Sequence, residues 1–261
     1  MLKTVLNLIL FPFLVFGSPD CAKFEWGATG HRVVGELAAQ RISKRTAKKI
    51  KALLDGVSLA QASTFADEIK SDERYRDYNP WHYANVKVDE TYAESKKNTK
   101  GDIVRAIAQC IAVLKNPTIE RSEKQFHLKL LIHFVGDIHQ PMHFAKPSDK
   151  GGNLVKVKWF GRNSNLHRVW DSNMIDDYGM SYTEITANLP KLRVSELKTI
   201  SKAPLTTWIN ESVDLAKHVY TTLPENTNLG YRYRYDHFNS VLMQLLKGGV
   251  RLAAILDEIF K

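Results

Sequence analysis

The run His133-Phe134-Val135-Gly136-Asp137-Ile138-His139-Gln140-Pro141-Met142-His143 places three imidazoles and a carboxylate within eleven residues. His167 and Asp171 follow within thirty residues of it. Imidazole nitrogen and carboxylate oxygen are ligand atoms that zinc prefers. Such density predicts a metal site holding more than one ion. The chemistry it predicts is hydrolysis, because bound metals activate water and stabilise negative charge on the reacting oxygens.

The spacing says which elements must position these groups. His133 and Asp137 are four residues apart, so a helix projects both from one face. Pro141 ends that helix, and His143 is then free of helical phase and can turn back toward the same site. His167 and Asp171 repeat the four-residue spacing. Two such pairs on facing helices can supply metal ligands inside a bundle. Weaker signals point the same way: His31 at a helix start after Trp26-Gly-Ala-Thr-Gly, the acids Asp67 and Glu68 among apolar residues, and His82 in Trp81-His82-Tyr83. Taken alone, Asp67 reads equally as a cap and His82 as a packed aromatic. His139 lies two residues past Asp137 on another face and reads as structural or as a support for ligands. His127, His218 and His237 read as ordinary hydrogen-bonded histidines.

Helical periodicity dominates the rest of the chain. Val33, Val34, Leu37, Ala38 and Ile42 recur at helical spacing, followed by Ile50, Leu53 and Leu54. Ile103, Ile107, Ile111 and Leu114 do the same and stop at Asn116-Pro117. Leu128, Leu131, Ile132 and Val135 line the helix that carries His133. Residues 209–223 and 238–259 read as two more. Residues 154–160 alternate apolar and basic, and 161–165 are turn-like, which predicts a short hairpin. Residues 89–101 read as a polar surface loop and 178–201 as a second irregular excursion. The expected fold is all-α, a mainly helical bundle with one short β-hairpin, in a single domain over residues 26–261.

The 261 residues are 44% hydrophobic and 25% charged, which excludes a disordered chain. A formal charge of +9 suits anionic partners but says nothing about fold. Residues 1–17 read as an export signal, with Lys3 before an apolar run too short to span a membrane, and cleavage after Gly17 or as late as residue 25. The mature protein is expected to be secreted or periplasmic. Cys21 and Cys110 are the two cysteines, and they permit one bridge.

In order, Trp-Gly-x-x-Gly-His, Ala-Asp-Glu-Ile, Trp-His-Tyr, His-Phe-x-Gly-Asp-Ile-His-Gln-Pro-x-His, Gly-Gly-Asn and Leu-His-x-x-Trp-Asp together resemble the zinc-dependent single-strand nucleases of fungi, plants and bacteria. The likeness covers almost the whole chain after the signal. It implies a helical fold shared with zinc phospholipase C, and three zinc ions. It implies Asp67, His82, His133 and Asp137 at the first zinc, and His143, His167 and Asp171 at the second. The third would take His31, a bridging Asp137 and the amino and carbonyl groups of Trp26, which must then be the mature N-terminus. It further implies catalytic roles for Asp67, Lys70 and Asn153, base stacking on Tyr83, and base-edge contact by Asn85. The implied substrates are single-stranded DNA, RNA and 3′-nucleotides, the products carry 5′-phosphates, and the enzyme acts as a monomer. A zinc phospholipase C and a non-catalytic metal- or nucleic-acid-binding protein are the alternatives.

Overall fold

A computed structural model describes residues 27–87 and 89–261. The export signal, Cys21 and Trp26 fall outside the described residues. Helices α1 (Ala28–Arg41) and α2 (Lys44–Leu53) open the chain, followed by the short α3 (Leu59–Ala62) and α4 (Phe65–Glu68). A 3₁₀ stretch, Glu73–His82, leads into an extended segment. Helices α5 (Ile103–Lys115) and α6 (Arg121–Asp137) form the next pair. Strands β1 (Lys156–Trp159) and β2 (Arg162–Asn165) precede α7 (Leu166–Arg168) and α8 (Met174–Asp176). The chain closes with α9 (Tyr182–Ala187), α10 (Val194–Lys202), α11 (Leu205–Thr221), β3 (Asn228–Leu229) and the long α12 (Tyr231–Ile259).

Side-chain caps set several of these starts. Ser43 and Ser58 accept the first free amides of α2 and α3, and Asp102 accepts two amides at the head of α5. The centre of the fold is α6, whose residues from Leu130 to Asp137 are all buried. A helix buried on every face must be enclosed by other elements. Here α5 packs on one side and α1, α4 and α12 on others, while α1 also lies along α12.

Two expectations need correction. Within the segment read as turn-like, 161–165, residues 162–165 form β2, paired antiparallel with β1 in the register Lys156↔Asn165 to Trp159↔Arg162. The turn itself is only Phe160-Gly161, and β3 joins β1 in parallel. The excursion expected over 178–201 contains α9 and all of α10 but its last residue. A Ser181–Glu184 capping box starts α9, and α10 lays Leu197 and Ile200 on the core near α12. Each helix is too short for periodicity to stand out from a mixed sequence. Residues 89–101 carry no helix or strand and are mostly exposed, as a loop should be. Cys110 is buried within α5.

Candidate metal centre

Helix α6 delivers His133 and Asp137 to one point, and both are fully buried. Asp137 turns one oxygen to each side of the cluster. Its Oδ2 lies 3.0 Å from His133 Nε2 and 2.9 Å from His82 Nδ1. Its Oδ1 lies 3.3 Å from His31 Nε2 and 3.5 Å from His143 Nδ1. His31 comes from the first turn of α1, and its ring stacks on that of His133 at 3.8 Å. The approach requires Gly136, because a Cβ there would sit 2.7 Å from His31 Nδ1. The start of α1 is tied in turn to the other ligand pair, since Gly27 N–H donates to Asp171 O.

Asp67, at the end of α4, places Oδ1 3.5 Å from His133 Nε2 and 3.8 Å from His82 Nδ1. His82 closes the 3₁₀ stretch and is 1% exposed. His133 Nδ1–H donates to Ser63 O at 2.7 Å, which leaves Nε2 facing the carboxylates. Such outer contacts fix the tautomer and aim of a metal-binding imidazole.

A second collection lies where α6 gives way to the turn Pro141–Phe144. Gln140 caps that turn and Pro141 begins it, so His143 swings back toward Asp137, as Pro141 predicts. His143 and His167 stack at 5.3 Å, with Asp171 beside them. Asn165 caps α7 and starts the helical turn that holds His167. Between His167 and Asp171 the helix widens into a π-type turn, Val169–Asn173, a feature common at functional sites. Gln140 Nε2–H donates to Asp171 Oδ1, and His167 Nδ1–H donates to Gly151 O. Gly151 has φ +65°, and a Cβ there would lie 2.7 Å from Met142 O.

Three groups therefore gather ligand atoms within 4.8 Å of one another: His31, His133 and Asp137; Asp67, His82 and His133; and His143, His167 and Asp171. Burial opposes charge on Asp137, but His133 and His143 outweigh it and hold the carboxyl well below its usual range. Burial also works against a proton on His133, yet Asp137 and Asp67 lift it to about 9. Burial and the neighbouring His133 push His31 down to about 4, so its lone pair is available to a cation. Both nitrogens of His31, both of His143, and Asp137 Oδ1 are buried without a hydrogen bond among the described residues. Buried polar atoms are otherwise almost always satisfied. Orphaned nitrogens and carboxylate oxygens facing one another are the donor set of a divalent cation, so these residues fit a metal cluster.

The remaining predicted residues fall around this centre. Lys70 Nζ pairs with Asp67 Oδ1 at 2.9 Å. Tyr83 and Asn85 sit on an extended segment that bonds through Ala84 N–H to His143 O and Val86 N–H to Ala145 O. Successive side chains of such a segment alternate. Ala84 and Val86 are buried, while Tyr83 and Asn85 lie on the other, half-exposed face. Asn85 Oδ1 lies close to Gly151, the residue whose carbonyl holds His167. Asn153 is exposed, and its side-chain N–H donates to Lys150 O within the Gly151 turn. Beside the extended segment is a shallow depression lined by Lys87, Lys146, Lys217 and Tyr220.

Sequence reading missed Gln140, although it stands inside the opening motif. It also missed the Ser63 and Gly151 carbonyls, which carry no side-chain signal. His139 is absent from the three candidate ligand groups and is buried between Val135 O and Arg251 Nη1, contacts that belong to the structural one of the two roles read for it.

Comparison with known proteins gives a consistent result. The family described as S1/P1 Nuclease matches residues 26–261. Endonuclease 2 of Arabidopsis thaliana is 31% identical, over 98% of this chain and 97% of its own. Nuclease S1 of Aspergillus oryzae is 28% identical, over 90% and 92%. Nuclease P1 of Penicillium citrinum is 26% identical, over 90% and 97%.

Proposed function

This chain belongs to the S1/P1 nuclease family, and from that premise we propose that it is a zinc-dependent endonuclease cleaving single-stranded DNA and RNA to 5′-phosphate products. We extend the proposal to 3′-nucleotidase activity, to three zinc ions per chain, and to a monomeric, secreted or periplasmic enzyme. The observation that carries this reading is the convergence of three imidazole-carboxylate groups around the buried Asp137. Zinc is favoured over calcium or magnesium because the donors are mostly imidazole nitrogens. Trp26 is proposed as the remaining ligand beside His31 and Asp137, which requires processing of the chain to Trp26.

Bound zinc would activate water and stabilise charge on the phosphoryl and leaving oxygens. The protein's own groups do the positioning. Asp67, His82, His133 and Asp137 would hold one ion, and His143, His167 and Asp171 another. Ser63, Gly151 and Gln140 keep those ligands aimed. Lys70, already beside Asp67, would place its charge on a phosphoryl oxygen, and Asn153 would contact the phosphate from the Gly151 turn. Tyr83 offers a ring for a base to stack on, worth about 1–3 kcal/mol and tolerant of sequence. Asn85 can both donate to and accept from that base's edge. A base inside a duplex has no free face to offer, so single strands are preferred. Lys87, Lys146 and Lys217 suit the strand's phosphates as it leaves the centre.

The test is hydrolysis of denatured DNA, lost in chelator and restored by zinc, with a count of bound zinc and N-terminal sequencing of the secreted protein. Release of choline phosphate from lecithin with single-stranded DNA untouched would instead establish the phospholipase. Zinc binding without hydrolysis of either would leave a binding protein.

A further inference from the structure

Helix α2 carries five cations and no acid in its ten residues: Lys44, Arg45, Lys48, Lys49 and Lys51. The helical period sorts its residues into two faces. Thr46 and Ile50 are buried, and Leu53 packs against the core beside them. Lys44, Lys48 and Lys51 stand four and three residues apart, so they form one stripe on the opposite, exposed face. Arg45 is exposed beside that stripe, and the exposed Arg41 ends the preceding helix α1.

This stripe works against the helix that carries it. Lys44 and Arg45 occupy the first turn, where the helix dipole favours acids. Lys44 and Lys48 repel at a spacing of four, as do Arg45 and Lys49, and Lys48 also faces Arg45 and Lys51 at a spacing of three. A solvated face ordinarily mixes both signs. Here the neighbouring carboxylates are engaged elsewhere. Asp55 pairs with Arg121, Glu258 pairs with Lys115, and Asp257 accepts from Ser43 N–H at the helix start. Lys49 Nζ donates to Lys261 O. Lys44, Arg45, Lys48 and Lys51 form no ion pair among the described residues.

The stripe also lies far from the metal ligands. Arg121, in the first turn of α6, donates to Ala52 O and pairs with Asp55, which fixes the end of α2 there. Asp137 ends the same α6, about 24 Å further on at 1.5 Å per residue.

We propose that the α2 stripe docks the protein on an anionic phospholipid surface, through the end of α6 remote from the metal centre. Charge complementarity selects this occupant. Clustered lysines and arginines are drawn to anionic headgroups cation by cation, with no pocket required. None of the exposed large apolar side chains among the described residues lies on α2. The helix thus has no ring for a nucleobase to stack on and no wedge to enter the acyl layer. It offers charge alone, which suits headgroup phosphates. Binding of this kind is peripheral, reversible and screened by salt. It concentrates the protein at the surface while the metal centre stays at the other end of α6. Docking does not depend on the nuclease reading, because it is measured without hydrolysis.

The test is co-sedimentation of the purified protein with sucrose-loaded vesicles, either phosphatidylcholine alone or equal parts of phosphatidylcholine and phosphatidylglycerol. Wild type should bind the anionic vesicles, ignore the neutral ones and be released by high salt. Lys44→Gln/Lys48→Gln/Lys51→Gln keeps good helix formers in α2. It should weaken binding about 100-fold, near five-fold for each cation removed. Lys191→Gln/Lys198→Gln/Lys202→Gln removes the same charge from exposed positions in and before α10 and should bind like wild type. The α2 variant should melt at or above the wild-type temperature, since its like-charge pairs are gone. Failure of wild type to bind, unchanged binding by the α2 variant, or equal losses in the two variants would overturn the proposal. So would an α2 variant that loses affinity for a single-stranded oligonucleotide but not for the vesicles, which would make nucleic acid the partner. A lower melting temperature in the α2 variant would contradict the claim that the stripe is carried against helix stability.

Discussion

Asp137 faces four imidazoles with two oxygens, Oδ1 toward His31 and His143 and Oδ2 toward His82 and His133. Asp137→Asn preserves the shape but replaces one anionic oxygen with a donor that faces rings unable to accept it and bind metal together. Activity on denatured DNA should fall more than roughly a hundred-fold, beyond what loss of a supporting group costs, and the zinc count should drop. Gln140→Ala removes only the hydrogen bond that aims Asp171. Its expected cost is about 10- to 100-fold in metal affinity or activity, read by zinc titration and initial rates. His133, Asp137 and His143 were legible as candidate ligands because their residue types and spacing are unusual. Gln140 was hidden beside them because an amide is not among the usual zinc donors, and only the fold shows it reaching Asp171.

At the scale of elements, the centre depends on how α6 is held. Gly136 lets α1 bring His31 against α6. Alanine is the better helix former, so Gly136→Ala should keep or raise helicity by circular dichroism. Activity should nevertheless fall, because the new methyl displaces the His31 ring, and overpacking should cost about 1–3 kcal/mol in denaturant unfolding. The C-terminal end of α6 is pinned by the buried Arg251, which joins His139 Nε2 to Glu211 Oε2 at 2.9 and 2.8 Å. Burial tends to raise the Glu211 pKa, but Arg251 and Lys247 outweigh it and hold the carboxyl below 4.5. A depressed folded-state pKa gives stability that is present above the unfolded value and lost as pH falls through the folded value. The stability gap between wild type and Glu211→Gln should therefore be largest at neutral pH and close as pH drops below about 4.5, measured by urea unfolding. None of this pinning was legible, since Glu211, Arg251 and His139 are far apart in sequence and each alone is ordinary.

At the scale of the molecule, binding of metal to the folded chain stabilises it by mass action, because the unfolded chain cannot assemble the cluster. Chelator should lower the melting temperature and added zinc should restore it, with the shift growing as zinc concentration rises. A temperature independent of chelator would mean that the cluster holds no ion. Among the described residues no helix is long and apolar enough to cross a membrane. Helical periodicity determined the main helices, and residue chemistry at four-residue spacing pointed to a candidate metal centre, because both are local properties of the chain. What the fold alone decided is non-local. It brings α4, the 3₁₀ stretch and α1 around α6, so that Asp67, His82 and His31 join one cluster from three separate segments. It turned the expected loop into α9 and α10, and the expected turn into β2, through caps and packing too brief to leave a period.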